Sequence, residues 1–168
     1  RSISFTPTYG LSEAALAVTV PPLDRGPKFD EGDFAKLADG EAQPAHSGDS
    51  RLFASVGRPL PGIEVAIVAD DGSPLPERRT GEIIVRTPSL MSGYHANAEA
   101  TQYALRNTWL WTGDLGYLAD GELYITGRKK EVIIVGGRNY YPDDVEQIAS
   151  AVPGVRAERV VAIGVEDA

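Results

Sequence analysis

A chain of 168 residues, 42% hydrophobic and 24% charged, can bury a core and has the composition of a folded domain rather than a disordered or fibrous one. Its formal net charge of −8, with no run of Lys and Arg along one face, argues against nucleic acid as a partner, because phosphate backbones need a concentrated basic footprint. Cysteine is absent, which removes disulfides and thiolate metal sites, and the two histidines, His46 and His95, are too separated to suggest a zinc site.

The chain opens on Arg1 in an apolar stretch, as a piece of a longer protein would, and Ile3–Phe5 reads as the end of a strand. Pro7 and Gly10 mark a turn into a short segment, Leu11–Val20. The apolar run Ala14–Val20 stops at Pro21-Pro22, far short of the roughly 20 residues of a membrane helix, so no transmembrane segment is expected. With no signal-peptide pattern either, the expected location is cytoplasmic. From Pro21 to about Ser55 the chain is rich in Pro, Gly and Asp, with a helical hint at Asp33–Leu37. That composition predicts a surface insertion with little structure of its own.

Glu64–Val68 and Glu82–Arg86 alternate as strands around the turn residues Asp70-Asp71-Gly72, a hairpin-like pair. Asn97 caps a predicted helix that runs through Leu105. Trp109–Trp111, Leu115–Leu118 and Glu122–Thr126 read as short strands, interrupted at Thr112-Gly113-Asp114 and Ala119-Asp120-Gly121. Glu131–Val135 is a further apolar strand, Gly136-Gly137 a turn, and Pro142 opens a helix with Asp143 and Asp144 in its first turn. Carboxylates there offset the positive end of the helix dipole by about 0.3–1 kcal/mol each. Pro153-Gly154 ends that helix, and Arg159–Val165 reads as another strand. A mainly β region followed by a β-α-β order predicts an α+β chain with a domain change near Gly127–Lys130.

Three short segments offer chemistry. Thr8-Tyr9-Gly10-Leu11-Ser12-Glu13 gathers a ring, a glycine, a hydroxyl and a carboxylate directly after a strand. Tyr9 can stack on a base, Ser12 can donate to a phosphate and Glu13 can hold Mg²⁺ beside it; alone, the segment equally describes a strand-to-helix turn with Ser12 as its cap. In Thr112-Gly113-Asp114 the glycine admits a ligand close to backbone, and the carboxylate can accept from two adjacent ribose hydroxyls, at about 1.5–3 kcal/mol per charge-assisted bond. Alone, it is also a common β-turn. Gly127-Arg128-Lys129-Lys130-Glu131 puts a fixed cation at the expected domain border, where Arg128 can reach ribose or phosphate, although such a triplet is commonly a solvated turn. His46 and His95 read as surface residues, and Trp109 and Trp111 as core or strand-face packing.

In order, Tyr9-Gly10-Leu11-Ser12-Glu13, Gly57-Arg58-Pro59-Leu60-Pro61-Gly62, Gly81-Glu82-Ile83, Ser92-Gly93-Tyr94, Trp111-Thr112-Gly113-Asp114 and Gly127-Arg128-Lys129-Lys130-Glu131 resemble the adenylate-forming, AMP-binding superfamily over nearly the whole chain. Within it, the chain is most similar to fatty acyl-AMP ligases, followed by acyl-CoA synthetases. The continuation Ala14-Ala15-Leu16-Ala17-Val18-Thr19, the Pro21–Ser55 insertion, and Gly137-Arg138-Asn139-Tyr140-Tyr141-Pro142-Asp143-Asp144-Val145-Glu146 carry that likeness.

The resemblance implies a β-rich, distorted-barrel part of the large adenylation domain over residues 1–129, followed by the start of the small, mobile α+β C-terminal domain over 130–168. It implies ATP/AMP and Mg²⁺ as cofactors. By motif, Tyr9 would lie on adenine with Gly10 beside it, Ser12 on the α-phosphate, Glu13 on Mg²⁺, Asp114 on both ribose hydroxyls and Arg128 on ribose. Lys130 would be the hinge, where many relatives have Asp. The implied reaction turns a fatty acid into an acyl-adenylate and passes the acyl group to the phosphopantetheine thiol of an acyl carrier protein or polyketide synthase. An acyl-CoA synthetase using CoA, and a non-catalytic nucleotide-binding or interaction module, are the alternatives. The family's phosphate loop and C-terminal catalytic lysine have no counterpart among these residues, so this piece alone is expected to be inactive or nearly so.

Overall fold

Tyr9–Leu11 (β1) folds back on Leu16–Val20 (β2) through a single 3₁₀ turn, Ser12–Ala14, in the computed structural model, which describes residues 6–45, 50–136, 138–156 and 159–165. The expected strand end at Ile3–Phe5 and the expected surface residue His46 lie outside the described residues.

The segment after Pro21 departs from expectation. Phe29–Asp33 (β3) runs into a short helix, Phe34–Ala38 (α1), and returns as Ser50–Ala54 (β4), antiparallel to β3. Asp33 caps the helix by accepting from Lys36 N–H at 3.0 Å. Leu37, Ala42 and Phe53 from this segment are buried together with Tyr117, Ala119 and Tyr124. Arg78 clamps Asp30 through both terminal guanidinium nitrogens at 3.2 Å, and the Tyr117 hydroxyl donates to Asp30 at 2.7 Å. Composition hides this order because Leu37, Ala42 and Phe53 are diluted among Pro, Gly and Asp, yet each fills the same patch.

That patch is one face of the main sheet. Arg58–Pro59 (β5) pairs with β2, and Glu64–Val68 (β6) pairs antiparallel with Gly81–Arg86 (β7), the hairpin-like pair expected. Ala98–Ala104 (α2) follows, capped by the Asn97 side chain, which accepts from Ala100 N–H at 3.0 Å. Leu105–Arg106 (β8) leads into Trp109–Ala119 (β9) and Glu122–Arg128 (β10). The order β10-β9-β7-β6, with β8 also on β9, makes an antiparallel sheet. β9 is thus one continuous strand, and the break expected at Thr112-Gly113-Asp114 is a bulge instead. Leu115 faces Glu82 while Trp111 faces Ile84, so four steps on β9 span two on β7.

Strand alternation gives this sheet two apolar faces. On one, Ile67, Ile83, Val85 and Leu123 pack with Tyr9, Ala14 and Val18 of the β1–β2 unit. On the other, Tyr117 and Tyr124 are cross-strand partners stacked at 5.1 Å, with Phe53 edge-on to Tyr117 at 5.9 Å. Trp109 and Trp111 are partly buried on the strand surface, under the guanidinium groups of Arg86 and Arg106 at 4.8 and 4.4 Å.

A buried carboxylate seals the edge between the units. Glu122, 3% exposed, accepts from the Ser55 hydroxyl and from Arg25. Burial alone would raise its pKa, but these donors outweigh it and hold the carboxyl below its ordinary 4.5. A depressed folded-state value stabilises the fold above the unfolded-state pKa, and that contribution is lost as pH falls through the folded-state value. Thermal unfolding of Glu122→Gln is therefore expected to show a weaker fall in stability below about pH 4.5 than the native protein; identical acid profiles would remove Glu122 as a contributor.

Beyond β10, Ile133–Val135 (β11) and Arg138–Tyr140 (β12) form a two-stranded ribbon, and Pro142–Ser150 (α3) follows with Pro at its start and Asp143 and Asp144 in its first turn. β11 is shorter than the expected Glu131–Val135 strand because Glu131 still lies in the turn after β10, its N–H bonded to the Arg128 carbonyl at 3.0 Å. Residues 159–165, expected as a strand, join no ladder among the described residues. Val161, Ile163 and Val165 are exposed there, and an extended segment becomes a strand only when a neighbour takes its backbone groups. No helix among the described residues is long and apolar enough to cross a membrane.

Candidate active site

The bulge in β9 brings distant side chains together. With Thr112–Asp114 pushed out of the β7–β9 ladder, the Thr112 hydroxyl donates to the Ile83 carbonyl at 2.7 Å and accepts from Asp114 N–H at 3.1 Å. The side chain thus replaces two backbone bonds that the bulge costs. Asp114 then faces β1 and the end of β10. The Tyr9 hydroxyl donates to Asp114 Oδ2 at 2.7 Å, and Arg128 Nε lies 3.2 Å from Oδ1. Arg128 and Asp114 are also register partners across β9 and β10.

The three groups differ in access. The Tyr9 ring is 9% exposed and belongs to the core, whereas the Asp114 and Arg128 side chains are 15% and 69% exposed. Burial, reinforced by the adjacent Asp114 carboxylate, pushes the Tyr9 phenol far above its ordinary value, and Thr112 and Arg128 offset only part of that. Tyr9 is consequently a neutral, permanent donor to Asp114. The outcome is a carboxylate of fixed orientation with an exposed cation beside it.

Ser12 and Glu13 stand in the 3₁₀ turn that directly follows β1. The Glu13 carboxylate accepts from Ser12 Oγ and from the Tyr94 hydroxyl, each at 2.9 Å, while Met91 N–H bonds the Glu13 carbonyl at 2.8 Å. Burial opposes ionisation of Glu13, but its own backbone N–H and these two hydroxyls hold the carboxyl below its ordinary value, and the Arg128 charge acts in the same direction. Glu13 therefore stays anionic, as a ligand for a hard cation must. Among the described residues no cluster of three or more His, Cys, Asp or Glu could cage a metal by itself. The donor set suits Mg²⁺, which is commonly held by one or two carboxylates and completed by water and substrate phosphates.

Gly10 has a steric origin. A Cβ there would lie 1.6 Å from the Leu16 carbonyl oxygen, so only glycine lets β1 approach β2. Tyr9, Ser12, Glu13, Asp114 and Arg128 thus converge, Lys130 is exposed just past β10, and His95 is exposed as expected. Roles for Thr112, Tyr94 and Glu82 were not assigned from sequence. Glu82 carried a signal, a charged residue beside the apolar run Ile83-Ile84-Val85.

The AMP-binding enzyme family matches residues 2–95. The long-chain-fatty-acid–CoA ligase of Escherichia coli O6:H1 is 36% identical over 158 residues, which covers 94% of this chain and 24% of that protein. The long-chain-fatty-acid–AMP ligase FadD26 of Mycobacterium tuberculosis is 35% identical over 168 residues, covering 92% of this chain and 29% of its own length. A solved structure from work on fatty acyl-adenylate ligases of E. coli and L. pneumophila superposes with a TM-score of 0.81 at 41% identity, over 89% of this chain and 27% of the other. The chain spans less than a third of the length of these relatives. A family match across more than half the chain, joined to this likeness in sequence and fold, establishes that the chain belongs to the AMP-binding enzymes, the adenylate-forming ligases.

Proposed function

We propose that this chain carries the nucleoside side of the active site of a fatty acyl-AMP ligase. The observation that carries the reading is the Asp114 carboxylate, oriented by Tyr9 at 2.7 Å and Arg128 at 3.2 Å, with Ser12 and Glu13 in the turn that follows Tyr9 in β1. Asp114 accepts from both ribose hydroxyls, Arg128 swings from Asp114 onto the ribose, and Tyr9 with Gly10 borders the adenine. Ser12 donates to the α-phosphate. Glu13 would hold Mg²⁺, which would neutralise phosphate charge as pyrophosphate departs. Fixing the nucleoside in this way orients the α-phosphorus for in-line attack by the fatty acid carboxylate. The border between the large domain, residues 1–129, and the small mobile domain, 130–168, falls at the hinge Lys130.

The acceptor proposed for the acyl group is a phosphopantetheine thiol on an acyl carrier protein or polyketide synthase. The β3–β4 pair within the Pro21–Ser55 segment and the 41% identity to the fatty acyl-adenylate ligase structure support it. The similar identity of the E. coli CoA ligase, 36%, supports CoA as the second reading. The test uses the parent polypeptide: fatty-acid-dependent exchange of pyrophosphate into ATP is expected, and its absence overturns the reading. Offering holo-carrier protein and CoA together, and following by mass spectrometry which thiol is acylated, separates the two acceptors.

A further inference from the structure

Glu82 lies in β7 with only 4% of its surface exposed, and a carboxylate buried there requires partners. It has them on both oxygens. Oε1 accepts from Gly113 N–H at 3.2 Å, and Oε2 meets Lys129 Nζ at 2.9 Å. The Lys129 backbone N–H in turn donates to the Gly113 carbonyl at 2.8 Å. Glu82, Gly113 and Lys129 therefore close a ring of hydrogen bonds, and Asp70 holds the same Lys129 ammonium at 2.8 Å from the opposite loop.

The ring lies directly behind the nucleoside groups. Gly113 precedes Asp114, and Lys129 follows Arg128. Gly113 has φ +74, and nothing lies within 4 Å of where its Cβ would be. The bonds from Gly113 N–H to Glu82 and from Lys129 N–H to the Gly113 carbonyl hold this peptide in its left-handed conformation. Both ends of the Asp114–Arg128 pair are thereby tied to one buried carboxylate.

We infer that Glu82 is a positioning residue for ribose recognition, fixing the Gly113 peptide and Lys129 so that Asp114 and Arg128 face the nucleoside in a single geometry. The inference rests on the reading of Asp114 as the ribose-binding carboxylate. A Glu82 that served stability alone would weaken every nucleotide equally when removed. One that positions Asp114 controls the preference for a ligand with both ribose hydroxyls.

The test measures dissociation constants of AMP and 2′-deoxy-AMP for the parent polypeptide by calorimetry, in the native form and in E82M, E82Q and D114A. The ratio of the two constants does not depend on the fraction of protein that is folded. The native protein is expected to prefer AMP by about tenfold or more, as loss of a charge-assisted hydrogen bond implies. E82M, close in volume but without an acceptor, is expected to cut that preference below about threefold. E82Q, whose single amide oxygen can accept from Gly113 or from Lys129 but not from both, is expected to show a preference between those of the native protein and E82M. If D114A loses the preference while E82M keeps it, or E82M weakens both nucleotides equally, the positioning role falls and the ribose reading stands. If D114A itself keeps the native preference, the ribose reading falls and the positioning role falls with it.

Discussion

Replacing Asp114 by alanine in the parent polypeptide is expected to weaken AMP binding by about 2–4 kcal/mol, about 30-fold to about 1000-fold. Two charge-assisted acceptor positions disappear together, and partial solvation of the freed hydroxyls recovers some of the loss. The substitution also removes the partner of the Tyr9 hydroxyl, 2.7 Å away, and of Arg128, 3.2 Å away. Tyr9 is a core residue, so an unpaired phenol there costs about 1–3 kcal/mol of stability. Asp114→Asn separates these effects, because its amide oxygen still accepts from Tyr9 while the negative charge is gone. Calorimetry on D114A, D114N and the native protein should rank AMP affinity in the order native, Asn, Ala, with the melting temperature of D114N nearer to native. Native-like AMP affinity in D114A would overturn the ribose assignment.

Glu13→Gln is expected to lower the rate of ATP–pyrophosphate exchange by about 100-fold or more, about 3 kcal/mol in the barrier, while leaving AMP affinity within about threefold. Ser12 and Tyr94 donate to different oxygens of Glu13; the amide oxygen of Gln keeps one of these bonds and its NH₂ can donate to the other hydroxyl, so the turn should hold its shape, but a neutral ligand binds a hard cation far less well. The Mg²⁺ concentration for half-maximal rate should rise accordingly. Glu13 is held below its ordinary carboxyl value by its own backbone N–H, Tyr94 and Ser12. Its ionisation should therefore impose no loss of rate at any pH above about 4.5. An exchange rate and Mg²⁺ requirement unchanged in E13Q would remove Glu13 from the metal site.

The legible parts of this chain follow local rules. The β6 and β7 alternation, the Asn97 cap and the Pro142 helix start were all readable because a side-chain period, a cap or a fixed φ acts within a few residues. The order of six short motifs, from Tyr9-Gly10-Leu11-Ser12-Glu13 to Gly127-Arg128-Lys129-Lys130-Glu131, carried the family, since the three that offer chemistry each describe, alone, an ordinary turn.

The misread segments share one cause. Pro21–Ser55 has little apolar content, and its β3–β4 pair exists because Phe53 and Leu37 find the Tyr117–Tyr124 face, which lies more than sixty residues further along the chain. Thr112-Gly113-Asp114 looks like a strand break but is a bulge, because β7 pairs with β9 on both sides of it, at Trp111 and at Leu115. The apolar alternation of residues 159–165 suggests a strand, but an alternating pattern supplies no partner.

Residue types and their order were therefore enough to propose the chemistry: an acceptor for ribose at Asp114, a cation at Arg128, an anionic ligand at Glu13. Tertiary structure alone decided how those groups are held. The Tyr9 hydroxyl reaches Asp114 across 105 residues of chain, and Glu82 reaches Gly113 and Lys129 across 31 and 47. Such contacts depend on strand register, which is set by the fit of whole sheet faces rather than by any local pattern.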